Sequence, residues 1–216
     1  MPSSTATGWP SPARFAFVLG ACLTVTLTAA WLWGAALIEI LIPVARQALG
    51  WIDNRFSVLS LGIEHTWQDT VVHLRLNLSS GFVMGGRVLI PDPRGFLTVD
   101  TPIGNLLQPL AIAPAIAAAL PGKLSQRLMR FALAALFALG FLVVDLPLAL
   151  HAIAWDMLTY SLGMNDFSPL LAWLAFLNGG GRLGIALLLG LAAWKSSQYF
   201  AYINNKLATQ PKLKSR

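Results

Sequence analysis

Hydrophobic residues along this chain fall into two patterns, long unbroken runs and short alternating stretches. Apolar runs occupy 15–43, 103–120, 131–155 and 182–202. Between the first two, Val72-His73-Leu74-Arg75-Leu76-Asn77-Leu78 alternates apolar with polar residues. Period two puts successive side chains on opposite faces, which is the pattern of a half-buried strand. Runs of about 20 apolar residues instead match the thickness of a bilayer core at 1.5 Å per helical residue. The pattern predicts a polytopic α-helical membrane protein of about four transmembrane helices, with a small antiparallel β-rich extracytoplasmic domain between helices 1 and 2.

The first run exceeds what a crossing requires. It predicts a transmembrane helix with an outer extension over 15–50, leaving the bilayer near Ala36 with Trp31 and Trp33 as interfacial anchors. Residues 51–102 form the β domain, with strands expected at Phe56–Glu64, Val72–Leu78, Phe82–Ile90 and Phe96–Asp100. Turns fall at Ser79-Ser80-Gly81 and Pro91-Asp92-Pro93-Arg94-Gly95, where Pro presets and Gly permits the backbone angles. So small a sheet is marginal alone and must rest on helices, the membrane surface or a partner. Residues 103–205 hold the remaining membrane helices. Gln108, Pro109 and Pro114 predict a short, kinked helix 2, and Phe131–Trp155 reads as helix 3. Asp156–Asp166 is expected as an outer loop and 167–177 as an interfacial or re-entrant helix. The run Asn178-Gly179-Gly180-Gly181 then breaks the chain before helix 4, which is anchored by Trp194, Lys195, Tyr199 and Tyr202. A disordered tip (1–14) and a basic tail (206–216) complete the layout.

Composition excludes a soluble globular chain: 56% of residues are hydrophobic and 11% charged, against about 25% charged in ordinary soluble domains. The net charge of +6 could suggest nucleic acid, but its placement argues for topology instead. Arg14, then Lys123, Arg127 and Arg130, then Lys195, Lys206, Lys212, Lys214 and Arg216 stand in segments without any Asp or Glu. Such segments face the cytoplasm, so both termini are expected there and no nucleic-acid partner is expected. The single cysteine, Cys22, excludes an intrachain disulfide. Val18-Leu19-Gly20-Ala21-Cys22 has the look of a lipidation box, but strong hydrophobicity continues well beyond Cys22, which favours a small apolar residue within a helix.

Four ionisable residues lie in or near the apolar runs: Glu39, Asp145, His151 and Arg182. A charged group in hydrocarbon costs roughly 3 kcal/mol or more, so each is a candidate for pairing, proton relay or partner contact. Asp145 is expected deeper than Arg182, which makes Glu39 the expected mate of Arg182. His151 stands six residues beyond Asp145, on a different face of a helix with about 3.6 residues per turn. His65 and His73 read as surface histidines, because no carboxylate or cysteine cluster stands at ligand spacing. The glycine run before Arg182 could cradle an anion, but reads more simply as a helix break. Nucleophile-elbow, zinc-protease and phosphate-loop motifs are absent, so no catalytic residue, metal or cofactor is expected.

The order of features carries a resemblance. One outward helix precedes a strand-rich domain, and Asn105-Leu106-Leu107-Gln108-Pro109-Leu110 opens an Ala-rich helix. A basic loop and the Asn178-Gly179-Gly180-Gly181-Arg182 break then precede the last helix. Together these resemble the exosortase H-associated membrane proteins of Gram-negative bacteria. The resemblance implies a non-enzymatic, multi-pass accessory protein of the bacterial inner membrane. Its partners would be the lipid bilayer and an exosortase, the membrane enzyme that removes C-terminal sorting tags from exported proteins. Cys22 lacks the Arg and His company of an exosortase nucleophile. The alternative is a transport or proton-relay component using Asp145, Glu39 and Arg182.

Overall fold

The computed structural model describes residues 11–67, 69–84, 86–163 and 168–208, with the side chains of 201 and 204–208 outside that description. Residues 1–10 of the expected N-terminal tip, segment 164–167 and the basic tail from 209 lie outside the described residues, whereas 12–14 of the expected disordered tip and 206–208 of the expected tail are helical.

The chain begins with α1 (Pro12–Ile52), a single helix of 41 residues. At 1.5 Å per residue this is about 60 Å, twice a bilayer core. The chain then turns back along the helix as β1 (Phe56–His65), with Arg46 donating to the Val58 carbonyl at 3.3 Å. Strands β2 (Thr70–Leu78) and β5 (Leu97–Pro102) complete an antiparallel sheet in the order β1-β2-β5. Val72, Leu74 and Leu76 of β2 are buried, while His73, Arg75 and Asn77 face the other way, so the alternation in the sequence is realised in the pleat.

One expected strand is two. Residues 82–90 form a separate hairpin of β3 (Phe82–Met84) and β4 (Arg87–Leu89), paired Phe82 to Leu89 and Met84 to Arg87. The turn works because Gly86 takes φ +74°, a left-handed conformation cheap only for glycine.

Helix α2 (Ile103–Ala119) follows β5 directly and contains both Pro109 and Pro114. It packs against α1, α3 and α5, so the shortest of these four helices is the centre of the bundle. Helix α3 (Leu124–Ser161) continues through the expected 156–166 loop as far as Ser161. Leu158 is buried in the core there, and Thr159 bonds back to the Trp155 and Asp156 carbonyls, so the helix gains packing by continuing. Helix α4 (Pro169–Phe176) and helix α5 (Arg182–Ala208) are joined by one wide turn, Leu177–Gly181. Gly180 has φ +104° at this kink, and a Cβ at Gly181 would run into Phe176. The glycine run interrupts the helical path as expected, and α4 and α5 are two helices that meet at this kink.

Three helical stretches are long and apolar enough to cross a membrane: Pro12–Ile52, Leu124–Ser161 and Pro169–Phe200. Helix α2, with 17 residues, is shorter. Close approaches fix their levels. Gly34 of α1 faces Ile103 and Leu107 at the start of α2, and Gly190 of α5 faces Ala113 and Ile116 further along it. Beyond Gly34, the second half of α1 and the second half of α3 extend past the bundle and carry the sheet between them. Ile38, Ala45 and Leu49 from α1, Leu146, Leu150 and Leu158 from α3, and Val72, Leu74 and Val99 from the sheet form one core. A second, smaller core joins α2, α3 and α5, and its fully buried members are all alanines: Ala113, Ala117, Ala134, Ala138, Ala186 and Ala193, with Leu110, Leu133, Phe137 and Leu189 among the larger side chains packed around them. Small residues let helix backbones approach closely, the usual device where lipid offers no hydrophobic drive to association.

A Cβ at Gly190 would already stand 3.1 Å from the Ala113 carbonyl oxygen and 3.2 Å from Ile116 Cγ2. Gly190→Leu should therefore force α5 from α2 and cost about 1–3 kcal/mol. A lowered unfolding midpoint of the detergent-solubilised protein is the expected result; an unchanged midpoint would mean the helices are not in contact there.

Candidate functional site

Two polar layers bracket the alanine core. At the loop end, Arg130 of α3 donates to Ser197 Oγ of α5 at 3.0 Å. At the sheet end, Arg182 Nε of α5 donates to Asp145 Oδ2 of α3 at 3.1 Å. Asp145 follows Arg130 by about 15 residues and Ser197 follows Arg182 by about as many, so both helices span roughly 22 Å between the layers. Equal spacing on antiparallel helices is what allows both contacts to form at once.

This geometry corrects the expected pairing. Arg182 lies level with Asp145, and its mate is Asp145, not Glu39. Glu39 is exposed on α1, away from the pair. The depths implied by counting along each run failed because α3 and α5 pair over only about 15 residues between their two polar contacts, which puts Asp145 at the sheet end of the bundle. Both partners are almost fully buried, with Asp145 1% and Arg182 3% exposed. Arg182 Nη1 also donates to Asn178 Oδ1 at 2.9 Å, so the first residue of the glycine motif holds the guanidinium from the opposite side. The kink at Gly180 is what folds Asn178 back over the start of α5. Asp145 Oδ1 has no hydrogen-bond partner among the described residues.

Arg182 forms the wall of a cavity of about 370 Å³ between β5, α2, α3 and the α4–α5 kink. Asp100, Asn105, Gln108, Asn178 and Arg182 line it with polar groups, with Leu174 and Leu177 on one side. Asp100 is held at the rim by His73, whose Nδ1 lies 2.7 Å from Asp100 Oδ1 and 3.2 Å from Glu64 Oε2. A larger cavity of about 650 Å³ lies between α1, α2 and the β1–β2 turn, lined mainly by apolar groups including Trp31, Trp67 and Leu107.

His151 does not join Asp145. It is buried one cluster further along α3, with Nε2 3.9 Å from Asp53 Oδ2 and its ring edge-on to Phe56. Asp53, just past the end of α1, is gripped by Arg55 through contacts of 2.6–3.1 Å. Burial by itself would raise the Asp53 pKa, but the Arg55 hydrogen bonds and charge outweigh it and hold the carboxyl below its ordinary value. Arg55 stacks on Trp155 in turn, tying the α1–β1 corner to α3.

Asp53, Arg55 and Asp100 were not expected as site residues, Arg130 was read only as a topology charge, and Asn105 only as the opening of the α2 motif. Asp100 and His73 meet only through strand register, and Asp53 reaches His151 only through the α1–β1 corner. The matched spacing of Arg130 to Asp145 and Arg182 to Ser197 was a readable signal for the two layers. Among the described residues, no three His, Cys, Asp or Glu side chains are grouped to hold a metal ion. Comparison of the chain with known protein families, with curated proteins and with solved structures finds no match.

Removing one member of a buried ion pair leaves the other charge stranded, at a cost of about 3–5 kcal/mol. Arg182→Leu and Asp145→Leu should each lower the unfolding midpoint sharply, and the double variant should lose much less than their sum. Additive losses would show that the two side chains do not interact. For Asp53, a lowered folded pKa means its contribution is complete above the ordinary aspartate value and fades as pH falls through the folded value. Asp53→Asn should accordingly flatten the acid limb of a stability-against-pH profile; an unchanged acid limb would remove this pair from the account.

Proposed function

We propose that the chain is a non-enzymatic accessory protein of a bacterial inner membrane that binds a polypeptide partner at its sheet end, with an exosortase as the expected partner. The observation that carries this reading is the 370 Å³ cavity over the Asp145–Arg182 pair. Its amides, Asn105, Gln108 and Asn178, offer both donors and acceptors, the chemistry that matches a peptide main chain. Arg182 adds a cation fixed on both sides, so it needs no reorganisation on binding. The apolar flank at Leu174 and Leu177 gives an adjoining side chain somewhere to go.

The membrane placement follows the charges. Lys123, Arg127, Arg130 and Lys195 gather at the loop end without an acid, which supports a cytoplasmic loop end and a sheet on the outside. Helices α1 and α3 run towards the sheet and α2 and α5 away from it, so four crossings with both termini inside fit this placement. The roughly 22 Å between polar layers is shorter than a bilayer core of about 30 Å, so the inner parts of both layers sit at or just within its edges. The proton-relay alternative finds less support. Between Asp145 and Arg130 the helices meet through alanines and larger apolar side chains, which can neither carry a proton nor hold an ion.

A photo-crosslinking residue at Asn105 should capture one dominant membrane protein, whereas the same residue at Leu188, an exposed position on α5, should capture lipid. Recovery of only lipid from position 105 would sink the reading. An Asp145→Asn protein made at normal level but lacking an ion or proton flux would replace it with the transport alternative.

A further inference from the structure

The loop end of the bundle holds two arginines side by side with no acid between them. Arg130 is 5% exposed, yet it donates only to neutral groups, Ser197 Oγ at 3.0 Å and the Pro121 carbonyl at 2.9 Å. Arg127 donates to the next carbonyl of the same turn, Gly122, at 3.2 Å. The two guanidiniums, from positions one helical turn apart on α3, therefore grip successive carbonyls of one tight turn. Among the described residues, no carboxylate bonds to either. Burying a cation against neutral partners is costly, and a like charge beside it raises the cost. An arrangement of this kind is stabilised by an anion from outside the chain.

The fold leaves such an anion a way in. Gly122 is exposed, and a Cβ there would stand 2.9 Å from Gln126 Oε1 and 3.2 and 3.3 Å from Nη1 and Nη2 of Arg130. With no side chain at 122, the flexible Gln126 amide screens the buried guanidinium on that side, and it can swing aside. Beside the opening, Leu124, Leu128 and Phe131 follow one another at helical spacing along one stripe of α3 and are 73%, 61% and 38% exposed. A fixed pair of cations next to an exposed apolar stripe has the shape of an amphiphile's counterpart: phosphate at the arginines, acyl chains along the leucines.

We propose that Arg127 and Arg130 bind the phosphate of an anionic phospholipid headgroup, entering over Gly122. Arg130 supplies a guanidinium already fixed in place, and half-buried Arg127 closes on the phosphate from the water side. Basic pockets at helix ends recognise anionic headgroups in this way, each cation contributing about fivefold in affinity. The site is independent of the sheet-end cavity, which lies at the opposite end of the bundle.

The full chain, purified in detergent and offered phosphatidylglycerol and phosphatidylcholine together, tests this by native mass spectrometry. Phosphatidylglycerol should be retained preferentially and should raise the unfolding midpoint. Arg127→Gln should weaken that retention roughly fivefold, and Gly122→Ala, which fills the opening, should weaken it as well. Inorganic phosphate at millimolar concentration should not displace the lipid, because it lacks the acyl chains that the apolar stripe holds. Equal retention of the two lipids, an unaltered Arg127→Gln variant, or displacement by inorganic phosphate would each overturn the proposal. Should Gly122→Ala fail to fold, the half-exposed Arg127 variant decides it alone.

Discussion

A charge buried among apolar side chains must find an opposite charge or a full set of hydrogen bonds, and that requirement sets the relative position of α3 and α5. Asp145 and Arg182 are nearly inaccessible to solvent and meet at 3.1 Å. Sliding either helix by one turn, about 5.4 Å, would strand both charges. The Arg130 to Ser197 contact imposes the same register at the other end. With both ends tied, the alanine layer between them can be thin on packing chemistry and still hold three helices in contact. Register here is decided by polar contacts, and closeness by small side chains.

The sheet depends on the same helices. Three strands with one apolar face are not self-supporting, and the chain supplies the missing layer by extending α1 and α3 well past the alanine bundle. The Asp53–Arg55 pair locks the corner where α1 gives way to β1, and Arg55 on Trp155 carries that corner across to α3. The sheet is thereby a continuation of the bundle. The edge of β5 and the first turn of α2 meet above Arg182, and the polar cavity is the space left at that junction.

Two kinds of polar site result, with different chemistry. At the sheet end the arginine is neutralised by its own aspartate and held by an asparagine, so the cavity presents shape and hydrogen-bonding groups with little net charge. At the loop end the arginines keep their charge, and any ligand there must be an anion. The first arrangement suits recognition of a polypeptide. The second suits attachment to a charged bilayer surface.

Much of the architecture follows from hydrophobic periodicity. Long apolar runs at 15–43, 131–155 and 182–202 could only be helices, and the alternation at Val72–Leu78 could only be a strand with one buried face. The isolation of Asp145 and Arg182 in apolar surroundings marked both as residues needing partners. Their pairing was not legible, because a run of hydrophobic residues says nothing about the register in which its helix packs on a neighbour. The contacts of Arg130 with Ser197 and of Asp145 with Arg182 set that register. The split of 82–90 into a hairpin was equally hidden, since a Gly-Gly pair inside an apolar stretch permits a turn without requiring one. Local preference and burial are written residue by residue along the chain. The meeting of Asp145 with Arg182, of His73 with Asp100, and of Arg130 with Ser197 depends on how distant segments slide against each other, and only packing of the whole chain decides that.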